Sequence, residues 1–488
     1  MATAVNADRF PTGLLIGGET AAAASGDTLA VVNPATEEEI ASVAAAGSTD
    51  VDRAVRNARD TFESDAWQRM SARQRGERLY RLGDLMLKHK DELTRLETLN
   101  NGKPLFESAI DLNLTVQTFK YYGGWADKIH GETIPVDGPF LNYTLREPIG
   151  VVGAIVPWNF PMSLASWKIA PALACGNTIV LKPAEQTPFT ALRMAELALE
   201  AGFPPGAFNC VPGVGSVAGA ALVAHAGVDK IAFTGSTEVG IGIMKMAAAT
   251  VKKVSLELGG KSPNIVFADA DLDAASRGAL SGIFYGKGEV CAAGSRLIVE
   301  KSVQDELQGR IIERAKKMVP GDPLNPKTRL GSLVSRTQME RVLGHIASGK
   351  TEGATLLTGG ERAPVNGKGY FVQPTVFSDV DRGMTIAREE IFGPVLAIMS
   401  FEGGVDEAAE LANATIYGLA AGIWSRDIKK ALRAARAVRA GTVWINTYNM
   451  YDAASPFGGY KQSGFGRDLG AHALEGYMQV KSVWVDLS

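Results

Sequence analysis

From Gly150 onward the chain alternates short apolar runs with segments long enough for a helix: GVVGAIV (150–156), NTIVL (177–181), FNCV (208–211), DKIAFT (229–234) and KVSLEL (253–258). Mostly apolar runs separated by helix-length connections specify right-handed βαβ units and a parallel sheet covered by helices on both faces. A second series follows, with NIVF (264–267), RLIVE (296–300), VLAIMSF (395–401), AAGIW (420–424) and GTVWIN (441–446) as strand candidates, so a second α/β unit is predicted after about Gly259. Ahead of both, DVDRAVRNARDTFES from Asp50 and RQRGERLYRLGDLMLKHKDELTRLETL from Arg73 carry charged residues between apolar positions and read as packing and surface helices. A chain of 488 residues exceeds what one hydrophobic core usually supports, which agrees with two or more domains.

Ligands of open α/β sheets bind outside the carboxyl ends of the strands. Each of the first five runs ends on chemically marked residues: PWNFP with Asn159, KPAEQTP with Lys182 and Glu185, VPGVG, FTGSTEVG, and Glu257 before Gly259 and Gly260. Gly235 permits a tight strand-to-helix turn, and Ser236 and Thr237 can cap a helix whose free N–H groups face a pyrophosphate. The turn is not a GxGxxG fingerprint, but Lys182 and Glu185 on a neighbouring strand end can hold the hydroxyls of an adenosine ribose, and together they favour a dinucleotide. In VSLEL, Ser255 and Glu257 share the face opposite Val254, Leu256 and Leu258, which leaves Glu257 either a solvated edge carboxylate or part of a site.

The stretch YGKGEVCAAGSRL places Cys291 among Gly286, Gly288, Ala292, Ala293 and Gly294. Such small neighbours make a loop whose backbone lies open to a close-fitting ligand; the competing reading is a small core residue near a helix end. The other cysteines, Cys175 and Cys210, form no CxxC pair with it or each other, and five scattered histidines add no metal signature. Neither a disulfide framework nor a metal site is expected, and the compartment reads as reducing and cytoplasmic. With 50 basic and 53 acidic residues the chain offers no basic field for nucleic acid. The opening MATAVNADRFPTGLLIGG lacks the pattern of a signal peptide, and the most apolar region, Ile149 to Trp167, is broken by Pro157, Asn159 and Pro161, so no membrane span is expected.

Taken in order, PWNFP, KPAEQTP, FTGSTEVG, LELGGKSP, the Cys291 loop, EEIFGPV (389–395) and PFGGYKQSGFGRDLG (456–470) resemble the aldehyde dehydrogenase superfamily, from VVNPATEEEI at Val31 to the tail VKSVWVDL. The resemblance implies an α/β fold with a Rossmann-type NAD-binding domain (1–129 and 149–259), an α/β catalytic domain (260–475) and a small β oligomerisation element (130–148 and 476–488), assembled as a homodimer or homotetramer. It implies that Cys291 adds to an aldehyde carbonyl, that the Asn159 amide and the Cys291 N–H stabilise the oxyanion, and that hydride passes to nicotinamide. Glu257 then activates water against the thioester. Cofactor positions carry over to Pro157, Trp158, Lys182, Glu185, Gly215, Phe233, Gly235, Ser236, Glu390 and Phe392, with NAD preferred and NADP weaker. Lys168 and Asp468 resemble a supporting proton-relay pair. Asp468 replaces the usual Glu and is one methylene shorter, so a structural role at a helix start competes with the relay. Glu289 replaces a common Gln and is expected to point away from the thiol.

Positions matching the substrate tunnel read Leu114, Phe160, Trp167, Tyr451 and Phe457, with Ala292 after the nucleophile, and supply no cation for a carboxylate-bearing aldehyde. The loop GEVCAAGSR is similar to that of phenylacetaldehyde-type members, which implies arylalkyl or medium-chain aldehydes. The alternatives are a betaine-type ammonium aldehyde, since aromatic faces bind such cations, a coenzyme A-acylating enzyme, and a structural relative without catalysis.

Overall fold

The computed structural model describes residues 10–488; the first nine residues of the opening segment, and of the 1–129 unit, lie outside the described residues. The five apolar runs form the parallel centre of an eight-stranded sheet. Their strands are Val151–Ile155, Thr178–Lys182, Phe208–Cys210, Lys230–Thr234 and Lys253–Glu257. Numbered along the chain, they lie in the order 3-2-1-4-5, the order of a Rossmann sheet, with the switch point between Val151–Ile155 and Lys230–Thr234. Alternate side chains enter different cores: Ile179 and Leu181 join one buried cluster, Val180 the other. Both faces are therefore covered, and each fully buried Val, Ile or Leu contributes about 1.5–3 kcal/mol.

Three further strands complete this sheet, the outermost being Glu19–Ala21, paired antiparallel with Leu14–Ile16. Leu14–Ile16 pairs antiparallel with Phe208–Cys210 at one side, and Gly464–Phe465, from far along the chain, pairs antiparallel with Lys253–Glu257 at the other. Glu257 lies opposite Gly464 in that pairing and is 4% exposed, so the solvated edge carboxylate is ruled out. The second sheet has seven strands, with Arg296–Glu300, Val395–Phe401 and Ala420–Trp424 at its expected positions. The long helical stretch from Arg73 divides at His89 into Ala72–Lys88 and Lys90–Asn101, and the second helix stops at Gly102, whose φ of 83° is the left-handed terminator conformation.

Met478–Asp486 pairs antiparallel with Phe140–Pro148 through all nine residues, and Thr133–Ile134 completes a small separate sheet. This sheet exposes Phe140, Leu141, Leu145 and Trp484. Among the described residues no helix is long and apolar enough to cross a membrane.

Candidate active site

The helix Leu272–Phe284 delivers the chain to the Cys291 loop through a turn in which Gly286, Lys287 and Gly288 all have positive φ (58°, 62° and 74°). Gly288 is required: a Cβ there would lie 2.1 Å from the Gly393 carbonyl oxygen, so the loop is pressed against the EEIFGPV segment. Gly260 packs in the same way on the Cys291 carbonyl. Cys291 is partly exposed, whereas Cys175 and Cys210 are buried. Burial pushes the Cys291 thiol up to about 12, with the carboxylates of Glu390 and Glu257 adding to the shift and the N–H groups of Ala292 and Cys291 opposing it. The resting group is a thiol, so attack requires a base.

Asn159 follows the first strand and precedes the helix Pro161–Ala174. Its Nδ2 donates to the Glu289 carbonyl at 2.9 Å, and its Oδ1 is buried without a partner among the described residues. The Glu289 carboxylate is engaged elsewhere, by the Val334 N–H at 3.0 Å and by the Lys287 ammonium at 3.0 Å.

Both carboxylate oxygens of Glu257 are buried with no hydrogen-bond partner among the described residues. Desolvation raises this carboxyl well above its usual range, the nearby Asp468 carboxylate raises it further, and Lys168 and Arg467 pull it back. Asp468 and Lys168 form a direct ion pair, both side chains almost wholly buried. Asp468 sits on a backbone bridge with Phe457, each N–H donating to the other's carbonyl at 2.7 and 2.8 Å. It does not open a helix, the next being His472–Glu475; the shorter side chain still reaches Lys168 because the bridge holds its backbone close.

At the switch point, Ser236 caps the helix Thr237–Ala247 by accepting from the Val239 N–H at 3.3 Å. Gly215 begins the turn Gly215–Gly219, and a Cβ on it would stand in open space. Lys182 gives its protons to the Pro183 and Gly213 carbonyls, both at 2.8 Å, and lies 3.4 Å from Glu185, whose carboxylate stays partly exposed. Lys182 is thus engaged by backbone carbonyls, whereas the Glu185 carboxylate is left accessible. Glu390 accepts from the Gly260 N–H at 2.9 Å, and burial raises its carboxyl to about 7. The Phe392 ring stands edge-on to Trp158, centroids 5.2 Å apart, beside Pro157 at the end of the first strand. Phe233 corrects one expectation. Its ring is buried under Gly235, where a Cβ would come within 2.4 Å of it, so it shapes the turn from the core side.

Cys291 lines a cavity of about 380 Å³ together with Leu114, Phe160, Trp167, Tyr451 and Phe457. Trp167, Tyr451 and Phe457 pack on one another with centroids 5.5–6.4 Å apart. Ala292 is a second correction: it is fully buried behind the loop, its carbonyl taking the Tyr448 hydroxyl at 2.9 Å, and it does not line the cavity. Sequence reasoning passed over Asp111, Tyr285 and Tyr448 at the cavity wall and Asn101, Lys103 and Lys287 behind Asn159. The available signal was charge beside glycine, in NGKP and GKGE. Among the described residues no group of three or more His, Cys, Asp or Glu is placed to hold a metal ion.

The family model for the aldehyde dehydrogenase family matches residues 21–483. Retinal dehydrogenase 2 of Gallus gallus is 50% identical over 479 residues, 98% of this chain and 92% of that protein. The solved NAD+ complex of aldehyde dehydrogenase from Bacillus cereus superposes with a TM-score of 0.96 at 50% identity, covering 98% of this chain and 97% of that one. The indole-3-acetaldehyde dehydrogenase AldA of P. syringae, solved with NAD+ and IAA, gives 0.96 at 45% identity over 98% and 97% of the two chains. A Rossmann-ordered sheet whose strand ends converge on a partly exposed cysteine and a buried carboxylate, matched over nearly its whole length in this way, belongs to the aldehyde dehydrogenase family, and the chain is an NAD-dependent oxidoreductase acting on aldehydes.

Proposed function

We propose that the chain oxidises an apolar arylalkyl or medium-chain aldehyde to its carboxylic acid through a covalent adduct on Cys291. The observation that carries this reading is the placement of a partly exposed Cys291 in an apolar, aromatic cavity. Glu257 takes the thiol proton as Cys291 Sγ adds to the carbonyl carbon. The oxyanion takes hydrogen bonds from the Asn159 Nδ2 and the Cys291 N–H. After oxidation a thioester remains, and Glu257 accepts a proton from the water that attacks it, releasing the acid and restoring the cysteine. Lys168 and Asp468 hold the charge balance around Glu257, and the Asp468 carboxylate is the member of the pair that receives its proton. Because Glu257 is available to activate water, hydrolysis is favoured over acyl transfer to coenzyme A.

The residues present fit NAD: open space over Gly215, a capped helix start at Ser236, an accessible Glu185 carboxylate, and Glu390 and Phe392 beside Trp158. Bound there, NAD supplies the acceptor for the hydride that leaves the adduct carbon. Glu185 accepts ribose hydroxyls and repels a 2′-phosphate, so kcat/KM should favour NAD over NADP by at least about tenfold, which needs only about 1.4 kcal/mol. Glu185→Ser should raise NADP use and lower NAD use together. An unchanged ratio in steady-state assays would remove Glu185 from the ribose site.

The arylalkyl reading gains support from the 45% identical indole-3-acetaldehyde dehydrogenase and from a cavity lining that, among the described residues, holds no Lys or Arg. An ammonium aldehyde is the second reading, since aromatic rings and the carboxylate of Asp111 both line the cavity. Asp111 is already paired with the buried Lys103, which spends its charge. Screening NADH formation with aryl, aliphatic, ammonium and carboxylate aldehydes, with and without coenzyme A, should give the highest kcat/KM with arylalkyl substrates and no coenzyme A dependence. A preference for the ammonium aldehyde would select the second reading.

The same proposal includes the domain division given above, with 130–148 and 476–488 as the surface for dimer or tetramer assembly, supported by the exposed Phe140, Leu141, Leu145 and Trp484. It includes a cytoplasmic location, supported by three free cysteines.

A further inference from the structure

Behind the two backbone segments that meet at the site lies a cluster of buried charge. Lys103 Nζ donates to the Asn159 carbonyl at 2.8 Å and to the Asp111 carboxylate, and stands 4.2 Å from the centre of the Phe160 ring. Lys287 Nζ donates to Asn101 Oδ1 at 2.6 Å and to the Asn101 carbonyl at 3.1 Å, besides its ion pair with Glu289. Asn101 Nδ2 in turn donates to the Trp158 carbonyl at 2.7 Å. Glu107 accepts from the Gly286 N–H at 3.1 Å, and the Glu97 carboxylate accepts from the Met162 N–H at 3.4 Å. Glu97, Asn101, Lys103, Glu107, Asp111, Lys287 and Glu289 are all almost fully buried.

Stability does not account for this cluster, because well-packed apolar side chains serve a core at least as well as buried ion pairs. Its contacts converge on 158–162 and 286–289, the segments that carry Asn159 and lead to Cys291. One hydrogen of Asn159 Nδ2 is held by the Glu289 carbonyl, which leaves the second for an oxyanion. The direction of that second hydrogen is set by where Glu289 and the Asn159 backbone sit, and the two lysines fix both.

We propose that Lys103 and Lys287 are positioning residues for aldehyde oxidation, bracing the Asn159 carboxamide against the Cys291 loop so that its free N–H meets the developing oxyanion. This rests on the reading of Asn159 as an oxyanion donor. A displacement well below 1 Å at such a donor is enough to degrade it.

The test is a double-mutant cycle in the full-length enzyme, read as single-turnover NADH formation, with NAD affinity measured alongside. Asn159→Ala should lower the rate about 100- to 1000-fold. Lys103→Met should lower it at least about 30-fold with NAD affinity unchanged. Combined with Asn159→Ala it should cost no more than about threefold further, since a brace has no effect once the group it holds is gone. Full multiplication of the two losses would overturn the proposal, because a general disturbance of the core acts whether or not the carboxamide is there. Were Lys103→Met not to fold, Lys287→Gln carries the same cycle, with about tenfold expected alone and little beyond Asn159→Ala. An unchanged rate in Asn159→Ala itself would instead refute the oxyanion reading.

Discussion

Cys291→Ala should fold, bind NAD and oxidise no aldehyde, with turnover below about one percent of the parent. The side chain removed is small, partly exposed and on a loop held by Gly288 and Gly260 rather than by the thiol, so melting temperature and NAD affinity should be unchanged. Neither other cysteine can substitute. Cys175 and Cys210 are buried in the same hydrophobic cluster, and neither lines the cavity that Cys291 lines. Turnover above one percent would show that the reaction does not pass through a covalent adduct on this residue.

Glu257→Gln should separate the two halves of the reaction. The amide is nearly isosteric but accepts no proton, so thioester formation, in which solvent at the partly exposed Cys291 can still take the thiol proton, slows less than hydrolysis, which slows by about 100-fold or more. The parent enzyme carries a related pH signature. Desolvation and the Asp468 carboxylate raise the Glu257 carboxyl well above its usual range. Only its ionised form is a base, so hydrolysis of the thioester should speed up as pH rises through that raised pKa and fail on the acid side of it. In Glu257→Gln this limb should vanish from the hydrolysis step. A pre-steady-state pH profile that keeps the limb would assign it to another group.

The central strands were legible because a parallel strand buried on both faces is written as a continuous apolar run, and Val395–Phe401 and Ala420–Trp424 fall where the apolar letters fall. Leu14–Ile16 was not, since three residues pairing antiparallel with Phe208–Cys210 leave no period to read. Glu257 could be read two ways because its burial depends on Gly464–Phe465, a partner 207 residues away along the chain from Glu257 to Gly464. Ala292 was placed in the tunnel by adjacency to Cys291. Adjacency does not say which way a side chain points, and the Tyr448 hydroxyl on its carbonyl turns it into the core. The charged cluster was the least visible: Glu97, Lys103 and Glu107 carry the same letters as solvated helix faces, and only the packing of Lys90–Asn101 and Leu105–Trp125 behind Asn159 buries them.

The central claim is that an acyl group passes through Cys291, and the direct measurement is rapid-quench mass spectrometry of Glu257→Gln mixed with NAD and an arylalkyl aldehyde. The account predicts one acyl adduct per chain, mapped to the peptide containing Cys291 and formed in step with an equal burst of NADH. A full NADH burst with no adduct, or an adduct confined to Cys175 or Cys210, would contradict it.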